Sequence, residues 1–269
     1  MLVLPDAMVK TRMKGIDDNI LVRWLRTGIN WDTIQRKRVD DVLRAYRVGH
    51  SQKNGMTIFW QIDNEGKVRT GKMMLYKPDG HRDKREGAYT FDWIHSALFR
   101  DKRHPEYDED KQEMKQTLFG MHLLDHYKRK DIDQTVCIVE SEKTALLMAI
   151  AYGNHTGQVW MACGGIGNIN RDRLKPIILQ HRNIILYPDR DGVKAWQERA
   201  EGLRYDRVTV DVKPVTEWWQ PQDGDNADIA DVVLRYIQNR RIYKSVGEVI
   251  QDMPIVKELH KHMNLKIET

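Results

Sequence analysis

Two aspartates stand one residue apart in I-L-Y-P-D-R-D-G-V-K-A-W, residues 185–196. An apolar run leads into them, and a glycine and a helical pattern follow. Carboxylates held that close repel and raise each other's pKa. A shared cation removes the cost. A solvated turn avoids it, because aspartate also favours the start of a helix. Two other apolar runs end in related chemistry. T-V-C-I-V-E ends in Glu140, and Q-V-W-M-A-C is followed by Gly164 and Gly165. Carboxylates with room for water are the donors Mg²⁺ selects, since it is small, hard and keeps part of its hydration shell. The spacing lets Asp189 and Asp191 face one ion if the strand continues through Asp191. Read without that ion, Glu140 is a helix-capping carboxylate. The two glycines are either an ordinary turn or a close backbone approach to a phosphate or to metal-bound carboxylates. Lys143, one turn into the following helix, faces either a phosphate or solvent.

These residues need a frame that gathers them. After residue 130, short and uniformly apolar runs alternate with helical patterns. The runs cover 135–140, 158–163, 183–187 and 207–212, and the helices 143–152, 173–180 and 193–202. That alternation predicts an α/β fold with a parallel sheet covered on both faces. Ligands in such sheets bind beyond the carboxyl ends of the strands, where Glu140, Gly164, Gly165, Asp189 and Asp191 sit. The first half reads differently. Ile20, Leu21, Trp24 and Leu25 start a helical stripe over 19–46. The alternation of Ile58, Trp60 and Ile62, a turn at Asn64-Glu65-Gly66 and a second run from Val68 predict a β-hairpin. Pro78-Asp79-Gly80 reads as a turn, 81–113 as charged and irregular, and 112–128 as a helix with Met114, Leu118, Met121, Leu123 and Leu124 inward. Helices are also predicted over 228–239 and 245–263. The implied division is 1–130, 131–240 and a helical extension over 241–269.

The order glutamate, glycine, Asp-x-Asp on three successive strands resembles the Toprim domain shared by bacterial primases, topoisomerases and several nucleases. V-E-S-E-K-T-A (139–145) and Y-P-D-R-D-G (187–192) look like its two core motifs. D-G-D-N-A-D-I-A-D-V-V (223–233) resembles a later primase segment whose acidic residues lie near the metals, here Asp228 and Asp231. Upstream, the hairpin, R-T-G-K (69–72), W-I-H-S (93–96) and L-F-G-M-H-L-L (118–124) look like the N-terminal half of a primase catalytic core. The combination is similar to primase-like Toprim proteins of conjugative and other mobile elements, over residues 19–235. The resemblance implies a Toprim fold, a parallel sheet of about four strands flanked by helices, preceded by an α+β primase-core-like subdomain with a hairpin. It implies a metal-dependent nucleotidyltransferase acting on single-stranded DNA with nucleoside triphosphates. Glu140, Asp189 and Asp191 are then catalytic and hold Mg²⁺ or Mn²⁺, with Glu140 as general acid or base. Arg69 and Lys72, read as flanking a tight glycine turn, fall where primases guide the template by its backbone charge. Arg82, Lys84 and Arg85 extend that basic stretch. The family's aspartate four residues after the motif glutamate is Thr144 here. Either Glu142 substitutes or the site holds fewer metals. The zinc module of such primases is not expected within this chain, which implies a helicase or a separate zinc-module protein as partner. A Toprim nuclease and a non-catalytic DNA-binding accessory subunit are the alternatives.

Bulk composition narrows the classes. The 269 residues are 41% hydrophobic and 31% charged, with a formal net charge of +5. Basic patches are thus permitted but not demanded. No run approaches the ~20 apolar residues of a membrane helix. The acidic N-terminus, M-L-V-L-P-D, predicts no signal peptide. Cys137 and Cys163 in apolar contexts read as reduced, buried thiols of a cytoplasmic protein. With 2 cysteines and no C-x-x-C, a cysteine zinc site within the chain is excluded.

Overall fold

Two four-stranded sheets organise the chain. The computed structural model describes residues 1–125, 135–153 and 157–239. The expected helix over 245–263 and the extension over 241–269 lie outside the described residues. Helices α1 (Asp6–Met13), α2 (Ile20–Thr27) and α3 (Thr33–Ala45) come first. An antiparallel sheet follows, built from β1 (Gly49–His50), β2 (Thr57–Ile62), β3 (Val68–Met74) and β4 (Phe91–Trp93) in that spatial order. Helix α4 (Ile94–Arg100) continues directly from β4.

The second sheet is parallel, in the order β6-β5-β7-β8, as its uninterrupted apolar strands predict. Its elements are β5 (Thr135–Val139), α5 (Glu142–Tyr152), β6 (Gln158–Ala162), α6 (Arg171–Ile178), β7 (Asn183–Leu186), α7 (Val193–Glu201) and β8 (Val208–Val210). Helices α8 (Lys213–Thr216) and α9 (Ile229–Asn239) complete it. Helix α5 is apolar all round and correspondingly buried, from Glu142 and Thr144 to Ala151.

The pleat of β2 explains how the sheets join. Ile58, Trp60 and Ile62 face a cluster with Leu2, Leu4, Val9 and Ile94. Phe59, on the opposite face, enters a larger core with Tyr46, Phe119 and the strands of the parallel sheet. Phe119 and Ala162 then exchange backbone hydrogen bonds of 3.0 and 3.1 Å, closing the free edge of β6.

Four sequence expectations change. The helix expected over 19–46 is two helices. Gly28 ends α2, the buried Trp31 turns the chain by donating its Nε1–H to the Leu25 carbonyl at 2.7 Å, and Asp32 and Gln35 form a reciprocal capping box that starts α3. The helix expected over 112–128 is, in its described part, an extended segment and a short 3₁₀ turn at Met121–Leu123. Leu118, Met121, Leu123 and Leu124 are buried as expected, but by pairing across to β6. The charged stretch over 81–113 holds β4 and α4. R-T-G-K is not a turn but the middle of β3. A Cβ on Gly71 would lie 2.9 Å from Cγ2 of Ile58, so the glycine is there for close packing.

Candidate active site

The site is built where β5, β6 and β7 end. Ladder contacts continue past β5: the Val139 carbonyl accepts from the Cys163 N–H at 3.0 Å, and the Glu140 carbonyl from the Gly164 N–H at 2.8 Å. Half-buried Glu140 therefore lies beside the Gly164-Gly165 turn. Gly164 has φ +70°, and a Cβ there would lie 3.3 Å from Oε1 of Glu142. Ser141 caps α5, with its Oγ accepting from the Thr144 N–H.

β7 stops at Leu186, and the strand does not continue through Asp191 as the spacing suggested. It is a central strand, and Pro188 has no N–H to extend the ladder. Asp189 instead opens a 3₁₀ turn, Arg190–Gly192, whose Gly192 N–H bonds the Asp189 carbonyl at 2.9 Å. Asp189 is half-buried and Asp191 exposed. Arg190 anchors this turn. Its N–H bonds the Ala227 carbonyl at 2.8 Å, its guanidinium bonds the Val215 carbonyl at 2.9 Å, and it stacks 3.8 Å over Trp219. The start of α9 is thereby drawn to Asp189.

At that start, Asp228 accepts from the N–H groups of Ala230 and Asp231 at 2.7 and 3.1 Å, and Asp231 accepts from the N–H of Asp228 at 3.0 Å. The second oxygen of Asp228 accepts a short hydrogen bond from the hydroxyl of Thr144. Thr144 thus stands where the resemblance places an acid and orients an acid from another element.

The electrostatics are those of crowded carboxylates. Burial and then the charges of Asp228, Glu140, Asp191 and Asp231 push Asp189 up to about 8. Burial and Asp228 push Asp231 up to about 6, against the pull of its hydrogen bond with the Asp228 backbone, Lys143 and His81. Glu140 is raised by burial and Asp191, with Lys72 opposing. Glu142 is 2% exposed and ion-paired with Lys72 at 2.9 Å. In kind, this all-oxygen donor set fits a hard divalent ion. Among the described residues, no three His, Cys, Asp or Glu side chains already stand at ligand spacing.

The basic residues are dispersed. Lys143 bonds the Gly80 carbonyl at 3.3 Å and lies 5.7 Å from the Trp24 ring centre. Arg69, 9% exposed, is tied to Asp63 at 2.7 Å and to the Leu2 carbonyl. Arg85 pairs with Asp83 at 2.7 Å, Arg82 lies 5.5 Å over Phe91, and Lys84 is exposed. Glu140, Glu142, Asp189, Asp191, Asp228, Asp231, Lys72, Lys143 and Gly164 form one linked set. Arg190 belongs to it but was not singled out from sequence, and Thr144, marked there only as a departure from the family pattern, belongs to it through its hydroxyl. Arg190 had a signal, a cation set between two aspartates. The bond from Thr144 to Asp228 spans 84 residues and left none.

The family described as "Domain of unknown function (DUF6371)" matches residues 19–190. A search of curated proteins finds no match. Among solved structures, the DnaG catalytic core is similar at TM-score 0.50 and 12% identity, covering 86% of this chain and 74% of that one. The E. coli primase catalytic core aligns at TM-score 0.46 and 10% identity over 98% and 97% of the two chains. The primase fragment of the bacteriophage T7 primase-helicase protein aligns at TM-score 0.43 and 15% identity, over 72% of this chain and 65% of that fragment. The mixed α/β architecture with a parallel four-stranded sheet is that of the primase catalytic core.

Proposed function

The chain belongs to the DUF6371 family, and on that premise we propose that it is a metal-dependent nucleotidyltransferase of the Toprim primase type. In this reading it acts on single-stranded DNA in the replication or transfer of a mobile element. The observation that carries the reading is the gathering of Glu140, Asp189, Asp191, Asp228 and Asp231 at one sheet edge, where burial and mutual repulsion raise Asp189 to about 8. Such a cluster is unfavourable alone and is relieved by a cation.

Glu140, Asp189 and Asp191 would hold Mg²⁺ or Mn²⁺, which supplies neutralisation of charge at a transferred phosphorus. Glu140, its carboxyl raised by burial, takes or gives a proton at the nucleophile or leaving group. Thr144 and the capping box of α9 keep Asp228 and Asp231 turned to the same edge. Lys72 holds Glu142 in place and presents a positive charge toward Glu140. Residues 1–130 bind nucleic acid in this scheme and 131–240 carry the metal and the nucleoside triphosphate. A separate zinc-module protein would supply start-site selection, and a helicase is the other partner this reading implies.

One observation favours a second reading, a non-catalytic DNA-binding accessory subunit. The hydrogen bonds among Thr144, Asp228 and Asp231 can hold this edge as a structural joint. An assay separates the two. It contains single-stranded DNA, ribo- or deoxyribonucleoside triphosphates and Mg²⁺ or Mn²⁺, and compares wild type with Asp189→Ala and Asp191→Ala. The enzyme reading predicts metal-dependent product that both substitutions reduce at least ~10²-fold. Strand shortening rather than extension would identify the Toprim nuclease variant of the reading. Product that is insensitive to both substitutions, or no product, rejects catalysis at this edge.

A further inference from the structure

We infer that β4 and α4 form a stacking surface for single-stranded nucleic acid, centred on Phe91 and Trp93. Phe91 and Trp93 share one face of the edge strand β4, since they are two residues apart. His95 and Phe99 share one face of α4, since they are four apart. The four rings make one run of successive contacts, with centroids 6.0, 5.7 and 5.9 Å apart. Phe91 is 37% exposed, and Tyr89 just before it is 57% exposed. Thr70 fixes the His95 ring through a 2.7 Å hydrogen bond, and burial keeps that imidazole below its usual range, so it is a neutral ring at neutral pH.

Cations are the outward partners of the ion pairs next to β4 and α4, while the exposed Glu109 acts on His95 at the far end of the run. Three ion pairs lie on or next to β4 and α4 in the chain, and in each the carboxylate is the inner partner. Side-chain exposures are 69% for Arg85 against 6% for Asp83, 59% for Arg100 against 7% for Asp92, and 83% for Arg103 against 25% for Asp101. Arg82 adds a guanidinium 5.5 Å over Phe91. The exposed rings of Phe91 and Tyr89, with the half-buried Trp93 behind them and outward cations beside them, fit unpaired bases on a phosphate backbone. A duplex keeps its base faces stacked, and an acidic peptide would use the cations and leave the rings idle. In the sheet register, Trp93 lies opposite Lys72, which pairs with Glu142. A strand on this surface is therefore led toward the carboxylate edge. That direction rests on the nucleotidyltransferase reading, whereas the surface itself does not.

The test is binding of a labelled oligo(dT) to the full chain, by fluorescence anisotropy in EDTA without nucleotides. Phe91→Ala is expected to weaken binding by about 5- to 150-fold, the worth of one base–ring stack. Phe91→Leu, which keeps an apolar side chain, should fail similarly at unchanged Tm. An abasic strand should bind wild type no better than oligo(dT) binds Phe91→Ala. Replacing Arg82 and Lys84 with alanine should flatten the slope of log affinity against log salt by about 1.4, at ~0.7 per phosphate contact. Tyr236→Ala, an exposed ring elsewhere (60%), should change nothing. The inference is overturned if the Phe91 variants bind like wild type, if abasic and normal strands bind alike, or if polyglutamate binds more tightly than oligo(dT). If the Phe91 variants lose binding but no metal-dependent chemistry is found, the surface stands and the enzyme reading falls. If synthesis depends on Asp189 while the Phe91 variants bind normally, only the surface falls.

Discussion

Asp189 bears the sharpest electrostatic conflict at the proposed centre. Its carboxyl sits at about 8 in the folded chain, against ~3.9 unfolded. The folded state thus holds a proton that the unfolded state has released. This contribution to stability is complete below about pH 4 and is lost as pH rises toward about 8. Metal-free wild type should therefore lose stability over that window, and Asp189→Asn should lose less. In thermal melts at pH 8 without metal, the variant should melt higher by at least ~2–4 °C, the response to about 1 kcal/mol in a chain of this size. Mn²⁺ should raise the wild-type Tm and leave the variant's nearly unchanged. A variant that melts lower than wild type at pH 8 would mean that Asp189 is structurally satisfied without a cation.

At the scale of elements, the parallel half was legible because its strands are continuous apolar runs that alternate with helical patterns. The antiparallel half was less so. The Asp32–Gln35 capping box was a readable break in the first helix, but the apolar stripe around it masked the signal. The 112–125 segment carries helix-compatible spacing, yet tertiary pairing of Phe119 with Ala162 overrides local propensity. The three candidate carboxylates were found from strand order, whereas the joint that steadies them was not. From sequence Lys72 reads as a template-guiding cation beside a turn, whereas its partner Glu142 is 70 residues away. Side chains of this pair are 13% and 3% exposed. Removing one partner leaves a buried charge unpaired, so Lys72→Met or Glu142→Leu should each cost about 3–5 kcal/mol, and the two substitutions together should recover most of it. Urea unfolding of the three variants reads this directly. Additive losses in the double variant would mean that the two groups do not act as a pair.

Across the whole molecule, one apolar core runs from α2 and α3 through Phe59 and Phe119 to the parallel sheet. The carboxylate edge lies where the two sheets meet. Lys72 reaches it from β3, Lys143 reaches back to the Gly80 turn, and Phe119 seals β6. The sequence revealed the two halves by their different periodicities. It could not reveal how they join, because those contacts link residues far apart in the chain. Among the described residues no helix is long and apolar enough to cross a membrane. The most direct test of the metal centre is Mn²⁺ binding at pH 8.5, counted from the EPR signal of the free ion for wild type and Asp189→Asn. At this pH the Asp189 carboxyl is largely ionised. Wild type should bind at least one ion, and the substitution should weaken binding by more than about tenfold. Equal binding by the two proteins, or none by wild type at millimolar Mn²⁺, would contradict a metal site at Asp189.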